Sequence, residues 1–210
     1  MFQYSFTGVV KHLIILNVIF FFGSYIVFEQ WHIHELGRSS LAAFMPGSPY
    51  FQPYQIFTYM FMHGGFMHLA FNMLSLFIFG PMVEATWGTK KFLGYYLFCG
   101  VGAYALYLGL EYWRIGQMGG DPTESMNSML GASGAIFGVM AAFMALFPNM
   151  ELSFLFFPIP IRAKYFILAI VCIEWFLGAK GSTGGVAHMA HFGGALFGLI
   201  LIAFWYWKKK

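Results

Sequence analysis

Apolar residues along this chain gather in long runs divided by short polar breaks. Six runs stand out: Leu13–Phe28, Phe66–Val83, Phe92–Leu110, Met129–Phe147, Tyr165–Ala179 and Val186–Trp207. A helix needs about 20 mostly apolar residues to cross a bilayer, and most of these runs approach that length, the fifth being the shortest. The pattern predicts an all-α membrane protein: one polytopic domain over residues 1–210, built as a six-helix transmembrane bundle. The first run is not closely followed by a small-residue cleavage site, so it reads as a retained span. Between the first two runs, Gln30–Met62 is too long for a plain connection. Its aromatic stretch "PYFQPYQIFTYMFM" suits the headgroup region, so this first loop is expected to lie in the outer interface, partly helical.

Basic residues orient the bundle. With both termini cytoplasmic, Lys11, Lys90, Lys91, Arg162, Lys164, Lys208, Lys209 and Lys210 lie inside, eight of the eleven, and only Arg38, Arg114 and Lys180 lie outside. Polar groups within the runs are costly in a membrane and each needs a reason. "HGGFMHLAFN" carries His63, His68 and Asn72, with the last two on one helix face. Ser133 opens the fourth run within "GASGAIFG", and "HMAHFGGALFG" sets His188 and His191 at the start of the sixth. Runs two, four and six all enter from the outer side, so three separate segments bring polar groups to one depth.

The glycine pairs Gly134/Gly138 and Gly194/Gly198 are spaced to let helices approach closely. A serine becomes a nucleophile when a base takes its proton, and histidine is that base near neutral pH. The tetrahedral intermediate of acyl transfer also needs donors for its oxyanion. His68, the Asn72 amide and the backbone N–H groups around Ser133 have the right chemistry. Gly194 and Gly198 follow His191 by three and seven residues and share its face, which selects His191 over His188 as the base. His188 then reads as a supporting or water-facing histidine. His12, His32 and His34 read as interfacial.

Composition agrees with the runs. The chain is 60% hydrophobic and 9% charged, against about 25% charged in soluble domains, and its mean hydropathy is +0.69. A net charge of +3 is too small to suggest nucleic acid. Cys99 and Cys172, both inside apolar runs, read as buried packing residues and not as a disulfide or metal framework.

The set of motifs, in this order on six runs, resembles the rhomboid family of intramembrane serine proteases over nearly the whole chain. The resemblance implies a Ser–His dyad endopeptidase that cleaves transmembrane proteins near the outer membrane face, without cofactor or metal, in the inner (plasma) membrane of a bacterium. Its partners would be transmembrane substrates and lipid. It implies Ser133 as nucleophile and His191 as base, with His68, Asn72 and Ser133 itself at the oxyanion. Gly131 takes the first glycine of the GxSG motif, His63 a structural place at the mouth of the second span, and Glu84, in "GPMVEATWG", a structural place on the cytoplasmic side. Phe71 and Trp175 would be the bulky contacts of a lateral substrate gate. Two positions depart from the family pattern. Tyr54 and Gln55 stand where a Trp-Arg pair is usual, and Phe137 where many members carry a tyrosine against the base. No acidic residue is clearly placed to orient the base, so the reading is a dyad and not a triad; Glu174, near the outer end of the fifth run, is the exception, a functional candidate whose preferred reading is a helix–helix bond. Two rival readings are a non-catalytic binding or chaperone member of the superfamily, and a metal site of His63, His68, His188 and His191.

Overall fold

The computed structural model describes residues 8–30, 40–121, 127–154, 157–180 and 185–207. The basic residues Arg38 and Lys208–Lys210, and His32 and His34, lie outside the described residues. Helices occupy all six apolar runs: α1 Val9–Gln30, α3 Phe66–Trp87, α4 Thr89–Gln117, α5 Ser133–Leu146, α6 Ala163–Ala179 and α7 Gly185–Trp207, with a short α2, Gln55–Thr58, in the first loop. Of these, α3, α4 and α7 are long and apolar enough to cross a membrane. An all-α membrane bundle is what the runs predicted. An antiparallel hairpin, β1 Glu151–Phe154 with β2 Phe157–Arg162, sets Glu151 opposite Arg162; the run pattern did not anticipate it. Pro158 and Pro160 cannot donate to a ladder, which suits a strand with a single neighbour.

The bundle is organised around α5. It packs against α3, α4, α6 and α7, and of its fourteen residues only Ala145 is exposed. A helix apolar on every side belongs at the centre of a bundle. The glycines explain how it fits. A methyl group at Gly194 would overlap the Gly134 carbonyl, and one at Gly138 would overlap Cys99 and come within 3.1 Å of the Gly194 carbonyl oxygen. Only hydrogen at these positions lets α5 and α7 approach this closely.

Fourteen residues rise about 21 Å, short of the ~30 Å hydrocarbon core. The fourth run therefore differs from its prediction at its N-terminal end: residues 129–132 precede the helix. Irregular backbone is tolerated at membrane depth only when protein satisfies it, and here the first loop does so. Ala43 and Met129 exchange two backbone hydrogen bonds of 2.8 Å, and Gly131 N–H donates to the Tyr59 carbonyl at 2.9 Å. The loop is thus sunk into the bundle instead of merely lying in the interface, with Ala42, Ala43, Met45, Tyr59 and Met60 fully buried. By contrast α4, with 29 residues, rises about 44 Å and uses its C-terminal turns as a post. The hydroxyls of Tyr104, Tyr107 and Tyr112 donate to the carbonyls of Phe44, Asn127 and Pro46. Near them Glu111 accepts two hydrogen bonds from Arg114, at 3.0 and 2.6 Å, and one from the Asn127 amide.

On the opposite side of the bundle, Glu84 closes the start of α1. Its two carboxylate oxygens accept from Val9 N–H at 2.7 Å and Val10 N–H at 3.0 Å, and from the Thr89 hydroxyl at 2.7 Å. A carboxylate at a helix N-terminus satisfies orphan donors and meets the positive end of the helix dipole. Cys99 is buried, as read from sequence, whereas Cys172 is exposed on α6 and packs no core. The apolar run could not say which way one residue of α6 would face.

Candidate active site

Ser133 is the first residue of α5, and the backbone turns sharply into it: Gly131 has φ +125°, a conformation that L side chains avoid. A Cβ built on Gly131 would lie 2.9 Å from His68 Nε2 and 3.5 Å from Ser133 Oγ. The glycine thus keeps a small volume open between the serine hydroxyl and the His68 ring. His68 is turned toward it by its other nitrogen, since Gly64 N–H donates to His68 Nδ1 at 3.4 Å. With that nitrogen an acceptor, Nε2 carries the proton.

The helix approach set by the glycines carries α7 to the same point. His191 Nε2 lies 2.8 Å from Ser133 Oγ. Its ring stacks on Phe137, centroids 4.7 Å apart and planes 5° from parallel, so the missing tyrosine hydroxyl leaves the stacking intact. The other ring nitrogen, Nδ1, lies 2.9 Å from Glu174 Oε2, and His188 Nδ1 reaches the same oxygen at 2.7 Å. An ionised carboxylate can only accept, so both imidazoles carry their protons on Nδ1. That tautomer points the lone pair of His191 Nε2 at the serine. The helix–helix bond expected of Glu174 is present, joining α6 to α7, but its histidine partners were not named from the sequence. Glu174 was legible as a costly residue near the outer end of its run, but its partner depends on the rotation of α6 against α7.

Asn72 and Phe71 lie on α3, His63 just before it and Trp175 on α6. Asn72 is buried one turn beyond His68, and its amide nitrogen has no hydrogen-bond partner among the described residues. His63 is buried, its ring edge-on to His68 at a centroid distance of 5.1 Å. Burial and then the neighbouring His68 lower its pKa to about 4. Phe71 and Trp175 are 62% and 51% exposed, on α3 and α6. The four histidines weighed as a metal site divide into pairs, His63 with His68 and His188 with His191. The three groups that do converge are Glu174, His188 and His191. His12 is exposed, with Nδ1 2.7 Å from the Gly8 carbonyl oxygen.

Gln55 is fully buried in the first loop. Its Oε1 accepts from Gln52 N–H at 3.0 Å and Phe44 N–H at 3.4 Å, while Nε2 donates to the Tyr50 and Ser40 carbonyls at 2.9 and 3.2 Å. The amide therefore braces the loop at the position where a Trp-Arg pair is usual.

Residues 50–208 match the family model of the rhomboid domain. The chain is 33% identical over 158 residues to the rhomboid protease AarA of Providencia stuartii, covering 69% of this chain and 53% of that protein. It is 33% identical over 149 residues to the mitochondrial rhomboid protein 1 of Saccharomyces cerevisiae, with 71% and 40% covered. With the human mitochondrial presenilin-associated rhomboid-like protein it shares 30% over 196 residues, with 88% and 48% covered. The chain spans about half the length of the relatives it matches. Some of these relatives are named proteases and others only rhomboid-like. A family match over most of the chain, carried on an apolar helical bundle, makes this an integral membrane protein of the rhomboid family.

Proposed function

We propose that the protein is an intramembrane serine endopeptidase that cleaves transmembrane substrates near the outer membrane face. The observation that carries this reading is the 2.8 Å contact between Ser133 Oγ and a histidine whose other nitrogen is held by a carboxylate. In the reaction, Ser133 Oγ attacks the scissile carbonyl carbon while its proton passes to His191 Nε2. Glu174 accepts the Nδ1–H bond throughout and offsets the positive charge that the imidazole gains. The carbonyl π electrons move to oxygen, and His68 Nε2–H, the Asn72 amide and the Ser133 backbone N–H donate to the oxyanion. Collapse of the intermediate expels the amine, which takes the proton from His191, and leaves an acyl-serine. Water, deprotonated by the same nitrogen, then releases the acid. The unpaired Asn72 amide supports its part, since a buried donor without a partner is costly and an oxyanion would satisfy it. The dyad read from sequence thus becomes a Ser–His–Glu arrangement, with Glu174 as a positioning residue.

The even number of helical runs and the excess of basic residues on one side support cytoplasmic termini and six crossings. Carriage in a bacterial inner membrane is part of the same proposal. Substrate helices enter from lipid between α3 and α6.

A fluorophosphonate probe tests the reading. It should label the folded wild-type protein on Ser133, and Ser133→Ala should lose both labelling and cleavage of a transmembrane substrate in liposomes. Cleavage persisting in Ser133→Ala near the wild-type rate would overturn the mechanism and favour the non-catalytic reading of the family resemblance.

A further inference from the structure

Glu174, His188 and His191 present three metal-ligating atoms to a common point. One ligating atom from each residue lies within 4.8 Å of the others, and both Nδ1 atoms approach Glu174 Oε2, at 2.7 and 2.9 Å. Zinc holds nitrogen and oxygen ligands at about 2.0–2.1 Å in a tetrahedron, so its ligand atoms stand roughly 3.3 Å apart. The two N–O edges would open by about half an ångström, a shift within reach of side-chain torsions. Two imidazoles and one carboxylate suit zinc, copper and their neighbours, and not magnesium, which prefers oxygen. The side chains are 16–25% exposed, which leaves room for water in a fourth position.

We propose that these three residues form an inhibitory site for a divalent transition metal, typified by Zn²⁺, that switches off the serine nucleophile. The inference rests on the Ser133–His191 reading above only for its effect on activity; metal binding itself does not depend on it. A metal on His191 Nδ1 requires the lone pair of that nitrogen. The ring proton then resides on Nε2, the atom that faces Ser133 Oγ. The lone pair that should accept the serine proton is gone, so attack on a carbonyl has no base. His188 undergoes the same tautomer shift, so two neutral imidazoles and the carboxylate bind the ion without net proton release. The hydrogen bonds from Nδ1 that now fix the catalytic tautomer and the metal bonds that would replace them are mutually exclusive. The same three atoms either prepare the base or disable it.

The experiment uses the full chain without a histidine tag, in detergent, with Zn²⁺ for activity and Co²⁺ as an absorbing probe. Saturating Zn²⁺ should lower kcat by roughly 10²-fold or more, the scale of losing a positioned base, with KM little changed; EDTA should restore the rate. Mg²⁺ should have no effect. Removing one of three ligands by His188→Ala should keep most of the metal-free activity and raise the half-inhibiting Zn²⁺ concentration by about 10–100-fold or more. Independently, Co²⁺ should give d–d absorbance in both wild type and Ser133→Ala, and lose it in His188→Ala. If Ser133→Ala still cleaves but Co²⁺ binds in this pattern, the protease mechanism fails and the metal site stands. If Zn²⁺ inhibits His188→Ala as readily as wild type, or Co²⁺ absorbance survives that substitution, the site proposed here is wrong.

Discussion

His63 and Gln55 show how single side chains hold the surroundings of Ser133. His63 sits in the turn between the first loop and α3, buried and edge-on to the His68 ring. Burial, reinforced by His68, lowers its pKa from an ordinary 6.5 to about 4. In the unfolded chain the imidazole takes a proton near its ordinary value, so between these limits the unfolded state binds more protons than the folded one. Stability must therefore fall as pH drops from about 6.5 to about 4, by on the order of 3 kcal/mol at most. His63→Phe, which keeps a ring against His68, should flatten the acid-side decline in Tm measured in detergent. An equally steep decline in the variant would assign the acid sensitivity to other groups. Gln55 is the complementary case, an uncharged amide whose donors and acceptor are all spent on loop backbone.

Between elements, the site depends on how closely α5 and α7 can pack. Ser133 and His191 belong to different helices, and their 2.8 Å contact depends on the close approach that the missing Cβ atoms of Gly138 and Gly194 allow. A side chain at Gly194 meets backbone of α5, which cannot rotate aside as a flexible side chain would. Gly194→Val should therefore push the helices apart and reduce probe labelling of Ser133 by at least roughly tenfold, since misplacement of about 1 Å can cost 10²-fold. Gly94→Ala, on α4 with open space around its position, should leave labelling unchanged. Equal labelling in both variants would mean that this glycine seam does not set the distance. Much of this level was legible in the sequence. The run lengths predicted the helices, and the glycine spacings predicted the seam and selected His191 over His188. What was not legible depended on rotation or depth. The facing of Glu174 and of Cys172 is fixed by how α6 turns against α7. The burial of the first loop is fixed by the shortness of α5, whose fourteen residues leave a gap that Ala43 and Tyr59 fill.

At the scale of the whole molecule, the helices of the described residues pack unevenly around α5. The core helix α5 is held by α4 and α7, which also pack on each other, while α6 packs on α7 and α5, and α3 on α5, α1 and α4; no comparable packing joins α3 to α6. The proposed route for a substrate runs between these two helices toward Ser133 at the start of α5. Phe71 on α3 and Trp175 on α6 are both more than half exposed, as expected of side chains that meet lipid instead of core. On the proposed function, a transmembrane substrate, a cylinder about 10 Å across, would part α3 from α6 and displace these rings for its backbone to reach the serine. A soluble substrate arriving from the aqueous side need not pass them. Replacing both, Phe71→Val with Trp175→Val, should raise the cleavage rate of a transmembrane substrate several-fold in liposomes and leave a soluble peptide within about twofold. The two rates, measured side by side in the same preparation, decide the route. A transmembrane rate that stays the same or falls, or a soluble rate that rises as much, would place substrate entry elsewhere on the bundle.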